Sequence, residues 1–385
     1  MRWRRVLFIA VVSCALLLLA GRAALTVRDA AMSDFRCFYE GGRLVRLGLD
    51  PYDRATWAAA TGVDVEPHPP CAETFYYPLW TAMAMVPLSE LSEPDALAVW
   101  EVVLVLCAVA GTVMLAKAWR PFGGNGLLLA LVLCSQPMFS AVANAQFGPV
   151  VFFGLAALGL ALDRSRDRLA AIAWAILLIK PNIIVGVLVG APLLRSRRFA
   201  ASALAAGLVI FVASLLVVPT WPIDAARVIL GQQLLIDRDL GTFWSFAIVL
   251  GLPSVIGTAV AVVALFAFAW ALPRRPFAPH ELVAILTVAS FLITPYARAH
   301  DEIALALCWG SALALARVAP AERAQLVGGA LAIGLGLPWL VTVLSLAGAP
   351  LAAHVLVTVA SAALLAYALR GSAPVTEARA VREVA

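Results

Sequence analysis

The sequence predicts an all-α, polytopic membrane protein, and three observations carry that prediction. Of the 385 residues, 63% are hydrophobic and only 13% are charged, where soluble domains carry about 25% charged residues. The mean hydropathy is +0.94. Apolar runs of the length needed to cross a hydrocarbon core of ~30 Å recur from one end of the chain to the other. A soluble enzyme, a disordered chain and a nucleic-acid-binding module are excluded. The net charge of +5 does not form a basic patch, because its arginines are spread over short loops between apolar runs.

The chain opens on Arg2, Trp3, Arg4 and Arg5, followed by an apolar run from Val6 to Gly21. This is read as an uncleaved first span; a cleaved signal peptide is the alternative, and either way the following segment is exported. Further apolar runs lie at about 95–118, 126–142, 147–162, 168–180, 183–194, 199–219, 253–272, 281–297, 301–316, 324–347 and 351–369. The expectation is about twelve spans in one membrane domain over residues 1–370, with a disordered tail at 371–385. The runs at 168–180 and 183–194 are short, and fit tilted spans, half-helices or a partly inserted hairpin.

Arginine placement orients these spans. Basic residues cluster at the N-terminus, at 117–120, 164–168, 195–198, 274–275 and 317–323, and from Arg370 onward. The positive-inside rule assigns all of these to the cytoplasm. Both termini are then cytoplasmic, in a multi-pass protein of the plasma membrane. The long segment 26–94 and a second segment at 220–252 fall on the exported side. In the first, Trp57–Ala60 and Phe75–Leu91 read as short interfacial helices, with Tyr76, Tyr77 and Trp80 at headgroup depth. The second contains Asp224, Asp237, Arg238 and Asp239.

Three short polar stations interrupt the apolar runs: Asn144-Ala-Gln146, Lys180-Pro181-Asn182, and the stretch from Pro295 through Arg298 and His300 to Asp301 and Glu302. With the two loops they make five polar elements on one membrane face. Polar groups near lipid are costly unless they serve a site, so this convergence points to a functional site. Taken singly, each station is explained as a span end meeting water.

Asp34 opens the run Ser33-Asp34-Phe35-Arg36-Cys37-Phe38-Tyr39, just past the first span. A carboxylate there is placed to take a proton from an attacking hydroxyl; the plain reading is a helix N-cap for the segment carrying Phe35, Phe38 and Tyr39. Asp53, in the turn Gly48-Leu-Asp50-Pro51-Tyr52-Asp53, reads as a cap for the segment after that turn. Lys180 ends an apolar run directly before Pro181, and the only other lysine, Lys117, is cytoplasmic. A cation at such a break suits a phosphate, although lysines at span ends also simply snorkel. Arg298 and His300 offer further donors on the same face. No His/Cys pair has zinc spacing and no glycine-rich phosphate loop ends in Lys-Ser/Thr, so neither a metal nor a cofactor is expected. Cys14, Cys107, Cys134 and Cys308 fall in apolar runs, whereas Cys37 and Cys71 share the exported loop, where an oxidising compartment permits a disulfide.

The order of these pieces resembles glycosyltransferase family 87, polyprenyl-phosphate-mannose-dependent α-1,2-mannosyltransferases of actinobacteria within the GT-C fold class. The resemblance rests on Asp34-Phe35 with Tyr39, Gly48-Leu-Asp50-Pro51-Tyr52, Phe75-Tyr76-Tyr77-Pro78-Leu79, Asn144-Ala-Gln146, Ile179-Lys180-Pro181 and the 295–300 step, in that order. It implies a GT-C fold with about twelve spans, and mannosyl transfer from a polyprenyl-phosphate donor to a hydroxyl of a glycolipid or glycan acceptor. It implies Asp34 as general base and His300 near the donor phosphate. Lys180, Arg298, Tyr39, Asn144 and Gln146 are the accompanying candidates for binding substrate or donor phosphate. A lipid-phosphate arabinosyl- or other hexosyltransferase of the same fold is the nearest alternative. A lipid or solute transporter is the competing class, but no clear internal repeat accompanies the charges, and these cluster at one face. A non-catalytic membrane scaffold is the remaining alternative.

Overall fold

The structure, a computed structural model, describes residues 2–28, 33–61, 74–231 and 240–371. Among them every regular element is helical. In chain order the α-helices are α1 (Arg2–Arg28), α2 (Phe35–Arg46), α3 (Arg54–Thr61), α4 (Leu79–Met85), α5 (Glu93–Trp119), α6 (Gly124–Leu133), α7 (Gln136–Ala143), α8 (Gly148–Asp163), α9 (Asp167–Leu177) and α10 (Val185–Leu194). They continue as α11 (Arg197–Val217), α12 (Trp221–Gly231), α13 (Phe243–Val249), α14 (Ser254–Ala271), α15 (Pro279–Ile293), α16 (Ala306–Val318), α17 (Arg323–Leu331), α18 (Leu337–Leu346) and α19 (Val355–Gly371). The tail at 372–385, Asp237, Arg238, Asp239 and Cys71 lie outside the described residues; Cys37 is held in a disulfide.

Among the described residues five helical segments are long and apolar enough to cross a bilayer: Glu93–Trp119, Arg197–Val217, Ser254–Ala271, Arg323–Leu346 and Leu351–Gly371. The α6–α7 pair makes a sixth span if its 51° bend is counted within one crossing. The run expected at 126–142 is therefore a broken helix. Cys134 and Ser135 form the break, where the Ser135 hydroxyl caps α7 by accepting from the Met138 amide, and Pro137 sits in the first turn. Shorter apolar helices cover Val12–Thr26, Gly148–Asp163, Val185–Leu194 and Pro279–Ile293. Outward faces stay apolar, as lipid requires: Leu204, Leu208, Leu216, Phe266 and Trp270 are exposed.

Between α1 and α5 the chain builds a cap of short helices. α2 carries Phe35, Phe38 and Leu44 inward, and α4 packs on it at close range. Gly42 makes that approach possible: a Cβ there would lie 2.9 Å from the Met85 backbone. The helices expected at Trp57–Ala60 and Phe75–Leu91 are present as α3, α4 and a 3-10 turn at Leu88–Glu90. Their aromatic side chains turn inward. Tyr77 packs edge-on against Phe38 with ring centroids 4.9 Å apart, and Phe38 meets Phe147 at 4.5 Å. The cap thus shares one apolar cluster with the start of α8.

Candidate active site

Four segments distant in sequence meet beneath this cap. Three of them are positioned by a local break in helical structure, and Asp34 by the start of α2. α9 ends at Leu177, and Lys180 adopts a non-helical backbone (φ −141°, ψ 70°), as the residue before a proline must. The carbonyls left open at the end of α9 are closed by the cap: the Trp80 indole donates to Leu178 at 2.8 Å and the Thr81 hydroxyl to Ile179 at 3.1 Å. This fastens α4 directly over Lys180. Gln146 follows Ala145, whose φ of +51° closes the tight turn between α7 and α8. His300 and Asp301 sit in a 3-10 turn, Ala299–Leu305, between α15 and α16. Gly148 allows that turn to approach: a Cβ there would lie 2.2 Å from the His300 carbonyl oxygen.

The side chains form one connected network. Gln146 Nε2 donates to Asp34 Oδ2 at 2.5 Å, and Gln146 Oε1 accepts from Lys180 Nζ at 3.2 Å. Lysine only donates and a carboxylate only accepts, so the two neighbours fix which way the Gln146 amide points. Lys180 Nζ also donates to Asp301 Oδ1 at 2.6 Å and lies 3.4 Å from His300 Nε2. Asp301 Oδ2 accepts the Arg298 backbone amide at 3.0 Å, so both its oxygens are engaged. The Tyr77 hydroxyl reaches Gln146 Nε2 at 3.5 Å.

Asp34 stands at the N-cap of α2, but its side chain makes no capping hydrogen bond. The capping role read from sequence is not the one its carboxyl fills; the carboxyl faces Gln146 instead. Burial raises its pKa above the ordinary carboxylate range, against the Gln146 hydrogen bond and the charges of Arg298 and Lys180, which lower it. His300 is pushed down to about 3, chiefly by burial, helped by the nearby Lys180 and Arg298 charges and opposed by Asp301. It is a neutral imidazole. With Nε2 facing the ammonium of Lys180, its proton belongs on Nδ1.

Two sequence expectations change here. Lys180, with Arg298 and His300 as further donors, was expected to face a phosphate as a free cation. Lys180 is 1% exposed and ion-paired with Asp301, which is 0% exposed, and its three N–H donors are directed at Gln146, His300 and Asp301. His300 carries no charge. Arg298 remains a cation beside Asp34, with its guanidinium 5.9 Å from the Tyr296 ring centre. Nor does the network include all the other candidates. Tyr39 donates to the Leu91 carbonyl at 2.8 Å, tying α2 to the turn before α5. Asn144 caps α7 by donating to the Ser140 carbonyl at 2.8 Å.

Asp301 and Tyr77 were visible in the sequence, but neither was assigned a place in the site. The signal for Asp301 was its position beside His300 in a stretch facing the same side as a lone lysine: a buried lysine requires a counter-charge. Asp53 does what its turn suggested, accepting from the Thr56 amide at 2.8 Å. Among the described residues no group of His, Cys, Asp and Glu is arranged to hold a metal ion.

A helical membrane bundle with a half-buried carboxyl, oriented by an amide and backed by a buried ion pair, has the make-up of a lipid-embedded enzyme. The profile of glycosyltransferase family 87 matches residues 75–295, more than half of the chain. The chain therefore belongs to glycosyltransferase family 87 and is a membrane glycosyltransferase. No curated protein and no solved structure matches it significantly.

Proposed function

We propose that this glycosyltransferase moves a mannosyl residue from a polyprenyl-phosphate donor to a hydroxyl of a glycolipid or glycan acceptor, on the exported face of the plasma membrane. The observation that carries the reading is the Asp34 carboxyl, left out of helix capping and held by Gln146. In the proposed step the acceptor hydroxyl gives its proton to Asp34 as its oxygen bonds to the anomeric carbon. The bond from that carbon to the phosphate oxygen breaks, and polyprenyl phosphate leaves. One displacement inverts the anomeric centre. A phosphate leaving group needs no carboxylic acid to protonate it, unlike the alcohol released in glycoside hydrolysis. One base therefore suffices, with Arg298 and the His300 Nδ1–H as donors toward the phosphate. Lys180 acts on Asp34 through Gln146 and through its charge.

The topology that goes with this reading places both termini in the cytoplasm. It counts about twelve crossings, one for each apolar run of the sequence; among the described residues five helices, or six with the bent α6–α7 pair, are long and apolar enough to span by themselves.

The decisive experiment uses purified protein, labelled polyprenyl-phosphate mannose and a glycolipid acceptor, with Asp34→Asn beside the wild type. A positioned base contributes about 10²–10⁴-fold, and a loss of that size with an unchanged melting temperature is expected. Near-normal turnover by Asp34→Asn would remove Asp34 as the base. Transfer of arabinose or another hexose in place of mannose would keep the mechanism and change the donor.

A further inference from the structure

Beside the site, α1 and α5 enclose a cavity of about 630 Å³, within the ~300–1,000 Å³ typical of ligand pockets. Leu16, Ala20 and Ala24 line it from one face of α1, at four-residue spacing; Ala98, Glu101 and Val102 line it from α5. The small side chains of Ala20, Ala24 and Ala98 leave the space between the helices unfilled. Leu16, Ala20, Ala98 and Val102 are exposed, so the cavity opens sideways, where the bilayer lies. Its wall is apolar except for Glu101. That carboxyl is 3% exposed, and neither of its oxygens has a hydrogen-bond partner. Such burial is costly unless a partner arrives, and an ionisable group at membrane depth is a functional candidate by default.

Both walls are fastened to the turn that carries Gln146. The Trp100 indole, adjacent to Glu101, donates to the Ala145 carbonyl at 2.8 Å. From α1, Arg22 donates to the Ala143 carbonyl at 3.3 Å, and the Thr26 hydroxyl lies 3.4 Å from the same oxygen. Glu101 thus stands close to the depth of Gln146, and so of Asp34.

We propose that the α1–α5 cavity seats the lipid portion of a hydroxyl-bearing acceptor glycolipid, with one acceptor hydroxyl donating to Glu101. The proposal rests on the glycosyl-transfer reading above and names the substrate that this side of the site receives. The chemistry separates acceptor from donor. A polyprenyl chain is pure hydrocarbon and would leave both Glu101 oxygens without a hydrogen-bond donor, with only the charge of Arg22 nearby. A glycolipid carries hydroxyls at the junction of headgroup and tail, the depth at which Glu101 waits. Seating the tail here also brings the headgroup to the Asp34 side of Gln146, away from Lys180 and the His300 turn.

Two photo-crosslinking probes in lipid nanodiscs test this: a diacyl glycolipid with a diazirine in its acyl chain, and a polyprenyl phosphate with a diazirine in its prenyl chain. The glycolipid probe is expected to label peptides containing residues 16–24 and 98–106. Labelling should fall about tenfold in Glu101→Leu, the scale of one lost hydrogen bond, less in Glu101→Gln, and most in Ala20→Trp, which fills the cavity. A melting curve for each variant identifies any misfolded protein, and Glu101→Gln keeps the test open if the leucine variant is lost. In the transfer assay, the ratio of kcat/KM on lipid-borne to water-soluble acceptor should fall about tenfold in Glu101→Leu.

Labelling by the polyprenyl probe in place of the glycolipid probe overturns the proposal, as does unchanged labelling in Glu101→Leu and Ala20→Trp. A wild type that transfers no mannose from the polyprenyl-phosphate donor but is labelled in a Glu101-dependent way would refute the proposed mannosyl transfer and keep the lipid site. A wild type that transfers sugar but shows no label there would do the reverse.

Discussion

Burial holds the Asp34 carboxyl above the ordinary carboxylate range, and the consequence for stability has a definite sign. A carboxyl whose folded pKa is raised stabilises the fold below its unfolded pKa and loses that contribution as the pH rises through the folded pKa. At neutral pH the Asp34 charge therefore works against the fold. Asp34→Asn removes that charge, so its melting temperature at pH 7 should be no lower than that of the wild type while transfer collapses. A base must be ionised to act, so wild-type activity should fall on the acid side through a pKa above the usual carboxylate range. Gln146→Glu, which sets a second carboxylate beside Asp34, should move that acid limb to higher pH, as like charges do; a limb that stays in place would separate Gln146 from the base. The buried pair Lys180–Asp301 gives a different test. Removing one partner strands a charge and typically costs about 3–5 kcal/mol. Lys180→Met alone should therefore be strongly destabilised, and Lys180→Met with Asp301→Asn should recover much of the loss. Additive melting shifts in that double-mutant cycle would mean that the pair is not coupled.

At the scale of elements, helix ends do most of the positioning. α9 stops before Pro181 and hands its open carbonyls to Trp80 and Thr81 of α4; α8 begins at Gly148 against the His300 carbonyl. Gly148→Ala inserts a methyl where the backbone of the His300 turn lies. Overpacking of this kind costs about 1–3 kcal/mol, and here it would also displace His300 and Asp301 together. Reduced transfer and a lowered melting temperature are both expected; a variant indistinguishable from the wild type would show that the turn has room to retreat. The opposite end of the bundle uses arginine for the same task. Arg323 donates to the Ala316 carbonyl, Arg370 to Ala271 and Arg275 to Leu369. Arginines that the positive-inside rule reads as cytoplasmic thus also close the carbonyls at helix C-termini.

For the whole molecule, the shared face of the polar stations carries the argument. Gln146, Lys180 and His300 lie in connections separated by pairs of apolar runs, and they meet at one end of the bundle with Asp34. Reporter fusions at Arg166 and Arg275 should read cytoplasmic, and fusions at Asp64 and Asp237 exported. The reversed pattern at either pair would place the site on the wrong side for an exported glycan.

Composition and the spacing of apolar runs by themselves determined an all-helical membrane protein, because the bilayer imposes a length and a polarity that any single sequence displays. They also singled out Asp34, Lys180, Arg298, His300 and the Asn144–Gln146 station, since polar residues at span ends stand out against so apolar a background. Tertiary structure decided what those residues do to one another. Whether Lys180 is a cation for a ligand or half of an ion pair depends on Asp301, 121 positions away and 2.6 Å distant. Whether Asp34 caps its own helix depends on Gln146, which arrives from the α7–α8 turn. The same limit hid Glu101, which read as part of an apolar run until α1 and α5 left a cavity around it. Charge and hydrogen bonding act over a few ångströms, and chain separation sets no such distance; only packing brings a donor to its acceptor.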